Sequence, residues 1–285
     1  MNASDVVVRT PAGPGERDPS ALALFLLPWR HRSLLAAMVR RDLSARYRGS
    51  VLGLAWFVGM PLASMAAYTL VFVGIMKVRF DAGPGGLPVA ALSIWAAVVM
   101  WQGFAEIANR SSSLVHDNAP FVKRVPFPLE ILAASYVGSS LVGMLFSLAL
   151  FSAAYVLLVG APPWTWALVP AAVVPLLLVA TGAGYLLAAL GAYVRDVRQI
   201  VGFGIPLLMF VTPVIYPISA VPVALKPFML ANPLAYGFET LRSVLVAGIA
   251  PDAGTLLVYL GCCWAFAAFG LAVFRRLKGG FADVA

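Results

Sequence analysis

Charge is scarce in this sequence. Only 11% of its 285 residues are Asp, Glu, Lys or Arg, against about 25% in soluble domains. That excludes an ordinary water-soluble domain. Together with several long uncharged runs, it points to a chain embedded in a bilayer. Cysteine is almost missing too: Cys262 and Cys263 sit side by side in an apolar run. They give neither a disulfide framework nor metal-ligand spacing, so no metal is expected. The two histidines, His31 and His116, are 85 positions apart and suggest no site. There is no Gly-x-x-x-x-Gly-Lys-Ser/Thr loop, so the chain is not expected to bind ATP through one. No Ser–His–Asp or Cys–His set stands out. Closely spaced acids that could hold Mg²⁺ beside a membrane are also lacking. Within the expected spans the only charged residue is Glu106. Coupled carriers usually hold carboxylates there, which argues against a self-powered pump.

The charge that remains is unevenly placed. The net charge is +8 and the pI about 9.8. The cations flank apolar runs, and no basic face or aromatic RNA motif accompanies them, so membrane topology is their role and nucleic acid is not an expected partner. Residues 1–28 read as a flexible cytoplasmic tail, polar and proline-rich at first, with no signal-peptide cleavage pattern. Residues 29–49 carry Arg30, Arg32, Arg40, Arg41, Arg46 and Arg48 against Asp42. Leu34, Leu35, Met38 and Val39 share a helical face, and Asp42 interrupts it. This predicts an amphipathic helix in the cytoplasmic interface, its arginines reaching toward phosphates.

Apolar segments then follow at about 51–76, 87–107, 131–159, 167–193, 200–216 and 253–274. The uncharged run 131–194 is 64 residues long, too long for one crossing. Gly160, Pro162 and Pro163 divide it, and Trp164 and Trp166 suit an interface belt. The stretch from 217 to 248 is apolar yet broken by Pro222, Pro227 and Pro233. It reads as re-entrant helices or as helices lying on the outer surface, with Glu239 and Arg242 spaced to pair. Sixteen of the 20 cations then fall on one side. That predicts an all-α membrane protein with six spans over 50–278 and both termini cytoplasmic. On the first span Phe57, Pro61, Ser64, Tyr68 and Phe72 share a face, with Pro61 a place for a bend. Phe203 and Phe210 share a face in the fifth. Such aromatic stripes either pack against neighbouring helices or stack on sugar rings.

Four segments carry a resemblance. RDLSARYRGSVLGLAWFVGMPL at 41–62, NAPFVKRVPFPLEIL at 118–132, YVRDVRQIVGFGIPLLMFVTPVIYP at 193–217 and LANPLAYGFETLRSVL at 230–245 resemble, in order, ABC-2 type permeases that export lipid-linked polysaccharides such as O antigen, capsule and teichoic acid. The resemblance covers about 40–280 and is specific for the family, not for the polymer. It implies a homodimer in the inner membrane with two copies of a nucleotide-binding ATPase, which would bind the ATP and Mg²⁺. It implies that Asn118, Ala119, Pro120, Phe121, Val122, Lys123, Arg124, Val125 and Pro126 form the segment seated on the ATPase. It puts Arg46, Tyr47 and Arg48 where the lipid diphosphate approaches. Phe57, Ser64, Tyr68, Phe72, Phe203 and Phe210 would line the sugar path. Glu106 is left without an assigned role. Two other readings stand beside it: an ABC-2 exporter of a small hydrophobic drug or plain lipid, and a membrane-embedded lipid-diphosphate enzyme.

Overall fold

The computed structural model describes residues 23–47, 55–77, 86–124 and 128–284, and among these no strand occurs. Two helices open the chain, α1 (Ala23–Arg30) and α2 (Arg32–Tyr47). Helix α1 begins within the stretch read as a tail, and residues 1–22 lie outside the described residues. Helix α2 is built largely from Ala, Leu, Met and Arg, all strong helix formers. It lies against a later helix, Leu129–Leu158.

The first span is α3 (Ala55–Tyr68) and runs on as a π-helix over Thr69–Ile75. The helix passes through Pro61 and changes its winding further along. Next come α4 (Gly86–Ser111), short helices α5 (Leu114–Asp117) and α6 (Ala119–Arg124), and α7 (Leu129–Leu158). The expected break after α7 is present. Gly160 takes φ of +117°, which a side chain would resist, and a 3-10 turn, Trp164–Leu168, leads into α8 (Val169–Tyr193). Helix α9 (Val197–Val211) follows, then α10 (Lys226–Leu230), α11 (Pro233–Arg242), α12 (Ala253–Leu277) and α13 (Phe281–Val284).

Five of these elements are long and apolar enough to cross a membrane. Helix α9 is not one of them. Its 15 residues rise about 22 Å, short of the ~30 Å hydrocarbon core. The cause is local: Thr212 precedes Pro213, which disfavours helical backbone, and Thr212 is extended at φ −107°, ψ 135°.

Helix α4 is the centre of the bundle, with most of its length buried, whereas α3 is only partly covered, Pro61 being its one buried described side chain. Trp95 of α4 packs edge-on to Phe151 of α7, and Phe151 in turn meets Trp166. Helices α8 and α12 make the closest pairing. A Cβ on Gly270 would overlap the Gly182 carbonyl oxygen, and one on Gly182 would press on Ala267 backbone. Without a hydrophobic drive between helices in lipid, small residues of this kind let backbones approach. Helix α11 is buried along most of its length, against α4 and α8. Asn232 caps it by accepting from Leu234 N–H.

Candidate functional site

The spacing of charge on two separate helices builds the site. On α2 Asp42 and Arg46 are four apart, and on α4 Glu106 and Arg110 are four apart, so each pair lies on one helical face. Packing brings the two faces together at one end of the bundle. Arg110 donates to both carboxylate oxygens of Asp42, through Nη1 at 2.7 Å and through Nη2. Arg46 pairs with Glu106 and lies 3.3 Å from Asp42. Ser139 Oγ of α7 accepts from Arg46 at 3.2 Å and from Arg110 at 3.3 Å. The Arg110 guanidinium also stacks over Tyr136, 4.0 Å from the ring centre. Two acids and two bases thus tie α2 to α4 and α7. Burial opposes ionisation of Asp42, but hydrogen bonds with Arg110 and Ser139 and the charges of Arg110 and Arg46 outweigh it. Its carboxyl is held below the ordinary value of 3.8.

Arg46 also lies at one end of a cavity of about 310 Å³ between α3, α4 and α7. On the far side of Arg110 a larger polar cavity, about 550 Å³, is lined by Asn109, Tyr136, Arg198 and Gln199. Arg46, in the last turn of α2, is engaged by two carboxylates. The backbone of Tyr47 ends α2 while its side chain lies outside the described residues, as does all of Arg48.

Within the segment 118–126 the described residues after Asn118 form the short helix α6, Ala119–Arg124. Asn118 is buried and donates to Leu114 carbonyl and Tyr136 hydroxyl, both at 2.9 Å. Pro120 and Lys123 are exposed, Phe121 and Val122 half-buried, and Ala119 opens α6. Arg41 of α2 lies over the Phe121 ring at 5.2 Å. Thus α6 touches α2 directly, and α13 packs against α6. Arg124 ends α6 with its side chain undescribed, and Val125 and Pro126 lie outside the described residues.

The aromatic stripe is partly assembled. Tyr68 and Phe72 stack at 6.2 Å, and the Tyr68 hydroxyl reaches Met209 Sδ of α9 at 3.9 Å. The Ser64 hydroxyl donates to Pro61 carbonyl at 2.9 Å, so it serves its own helix. Phe203 and Phe210 are largely exposed on α9. The Phe57 backbone is helical and its side chain lies outside the described residues.

Three groups were not singled out as sites by sequence reasoning. Glu106, left without a role, is the partner of Arg46 and Arg110. The two acid–base pairs at i,i+4 were a usable signal, and so was Asp42 on an apolar face. Glu130 is buried in the first turn of α7 and pairs with Lys278 Nζ at 2.7 Å and Arg275 Nε at 3.4 Å. Arg242 pairs with Glu239 as the spacing foretold. It is buried, however, and donates to the carbonyls of Ser93, Pro213 and Val214.

Comparison with known proteins gives one family. Residues 33–246 match the family model described as ABC-2 type transporter. A Myxococcus xanthus protein named O-antigen export system permease protein RfbA is 27% identical over 257 residues, covering 90% of this chain and 96% of that one. Two Klebsiella pneumoniae proteins of the same name are 26% and 25% identical, each covering 88% of this chain and 94% of its own length.

Proposed function

Because this chain belongs to the ABC-2 type transporter family, we propose that it is the membrane-spanning permease subunit of an ATP-driven exporter of a lipid-linked polysaccharide, with O antigen as the polymer. The observation that carries this is the likeness along 90% of the chain to permeases named for O-antigen export. The chain acts as a channel-forming subunit and not as an enzyme. Two copies pair as a homodimer in the inner membrane, and two copies of a separate ATPase bind ATP and Mg²⁺.

Helix α9 with the turn that follows it makes the fifth of six crossings, and both termini lie in the cytoplasm. Helices α10 and α11 are re-entrant at the outer mouth. Helix α6 seats on the ATPase, and Lys123 is the exposed cation available to it. Arg41 over Phe121 offers a direct path from that seat to α2. Arg46, Tyr47 and Arg48 meet the lipid diphosphate, since a guanidinium fork suits phosphate oxygens. Arg46 is already bound to Glu106, so the diphosphate arrives by exchange with a carboxylate. Tyr68 and Phe72, with Phe57, Ser64, Phe203 and Phe210, line the sugar path.

Deletion of the gene should abolish surface O antigen, and complementation should restore it. The purified complex with its ATPase should hydrolyse ATP faster on adding lipid-linked glycan. Intact surface glycan in the deletion strain together with no ATPase response would overturn the proposal. Hydrolysis stimulated instead by hydrophobic drugs would do the same.

A further inference from the structure

The end of the chain is tied to more of the fold than a terminus needs. Helix α13 has four residues and α6 has six, and helices this short do not persist alone. Each keeps its shape through packing. Phe281 opens α13 and is fully buried. Its ring lies 5.2 Å from Phe274 of α12 and 5.9 Å from Tyr193 at the end of α8. Phe274 in turn meets Tyr185 of α8 edge-on at 5.4 Å. The Tyr193 hydroxyl donates to the Leu277 carbonyl at 2.7 Å. The last turns of α12 are thus bonded to α8, and Phe281 carries that bond on to α13. Two contacts then reach the segment read as the ATPase seat. Helix α13 packs against α6. Arg275 and Lys278 hold Glu130 in the first turn of α7, the helix that follows α6. One stretch of chain, 274–284, so grips both α6 and the helix after it.

We propose that Phe281 is a positioning residue for the transport cycle. It locks α13 onto α8 and α12, and α13 braces α6, so a push by the ATPase on α6 moves α8 and α12 instead of displacing α6 alone. The proposal rests on reading α6 as the ATPase seat. It gives the C-terminal segment a part in transmission, beyond closing the last span.

The test reads hydrogen exchange and ATP hydrolysis in the full chain with its ATPase, reconstituted in nanodiscs. In the unaltered protein, adding the ATPase should slow exchange in 119–124 and in 281–284 together. Phe281→Ala removes the ring contacts. It should speed exchange in 119–124 by about fivefold while α4 is unaffected, since local opening is set by local packing. The maximal glycan-stimulated rate should fall by about fivefold, with basal hydrolysis and the glycan concentration for half-maximal stimulation unchanged. Phe281→Leu keeps an apolar side chain there and should restore most of the stimulation. Tyr193→Phe keeps the ring and loses only the bond to Leu277. It should give a smaller loss of stimulation, and it replaces Phe281→Ala if that variant does not fold.

Full stimulation in both Phe281→Ala and Tyr193→Phe would overturn the proposal. So would an equal loss of basal and stimulated hydrolysis with faster exchange along the whole chain, which would make Phe281 a residue of the fold only. Exchange in 281–284 that ignores the ATPase while 119–124 slows would also overturn it, with no variant needed. These three results leave the seat on α6 standing. No slowing in 119–124 would strike that seat, and this inference with it.

Discussion

Glu106→Gln separates two roles for the ion cluster. Arg46 holds Glu106 on one side and Asp42 on the other. If the diphosphate must take Arg46 from Glu106, removing that carboxylate charge makes substrate bind more tightly. If the cluster only braces α2, removing it weakens binding or does nothing. The magnitude follows from exposure. A fully buried pair that loses one partner costs about 3–5 kcal/mol. Arg46 and Glu106 side chains are 25% and 28% exposed, closer to the surface regime, where a pair contributes at most about 1 kcal/mol. Releasing ~1 kcal/mol of competition corresponds to a factor of about five in affinity. Glu106→Gln is therefore expected to lower the lipid-linked glycan concentration for half-maximal ATPase stimulation by about fivefold. Arg46→Gln should raise it. The assay is ATP hydrolysis by the reconstituted complex across a glycan titration. A rise, or no change, in Glu106→Gln would refute exchange at Arg46.

Other outcomes follow from the same structure. Lys123→Glu reverses the exposed cation of α6 and should at least halve glycan-stimulated ATPase while membrane insertion, read by protease protection, stays normal. Gly270→Val forces side-chain atoms into the Gly182 carbonyl. It should destabilise the α8–α12 pair by about 1–3 kcal/mol, seen as earlier unfolding of the purified chain in a detergent titration. Because the Asp42 carboxyl is held below 3.8, the stability it adds is present above that value and lost as pH falls through its lower folded value. Spin labels on α2 and α7 should therefore keep their separation down to pH 4 and part only under stronger acid.

The helices and the division of the long apolar run were legible because the bilayer restricts what a spanning chain can be. A run of 64 uncharged residues has to break, and Gly160 with Pro162 and Pro163 is the place that breaks it. Helix α9 came out shorter than its apolar pattern because the residue before Pro213 stops it, a local backbone effect that hydropathy does not carry. The coupling role expected of 118–126 came only through resemblance. Nothing in the residues alone says that Asn118 turns inward to Tyr136 or that Phe121 lies under Arg41. The ion cluster was half legible. Each i,i+4 pair is visible in the chain, but Arg110 and Asp42 are 68 positions apart, and only the packing of α2 on the bundle joins them. Glu130 carries no local hint, because its partners come from the end of α12.

That last pairing has a consequence in time. Glu130 opens α7, and Lys278 lies 148 residues further on. At roughly 5–20 residues per second of synthesis, the carboxylate enters the membrane some 7 to 30 s before its cations emerge from the ribosome. Until then Glu130 lacks both cations that pair with it in the finished fold, where it is buried and an unpaired charge would be costly. Arg275 and Lys278 therefore act as the final clasp of assembly. A chain stalled before them would hold every span yet leave Glu130 open to the membrane's quality-control proteases.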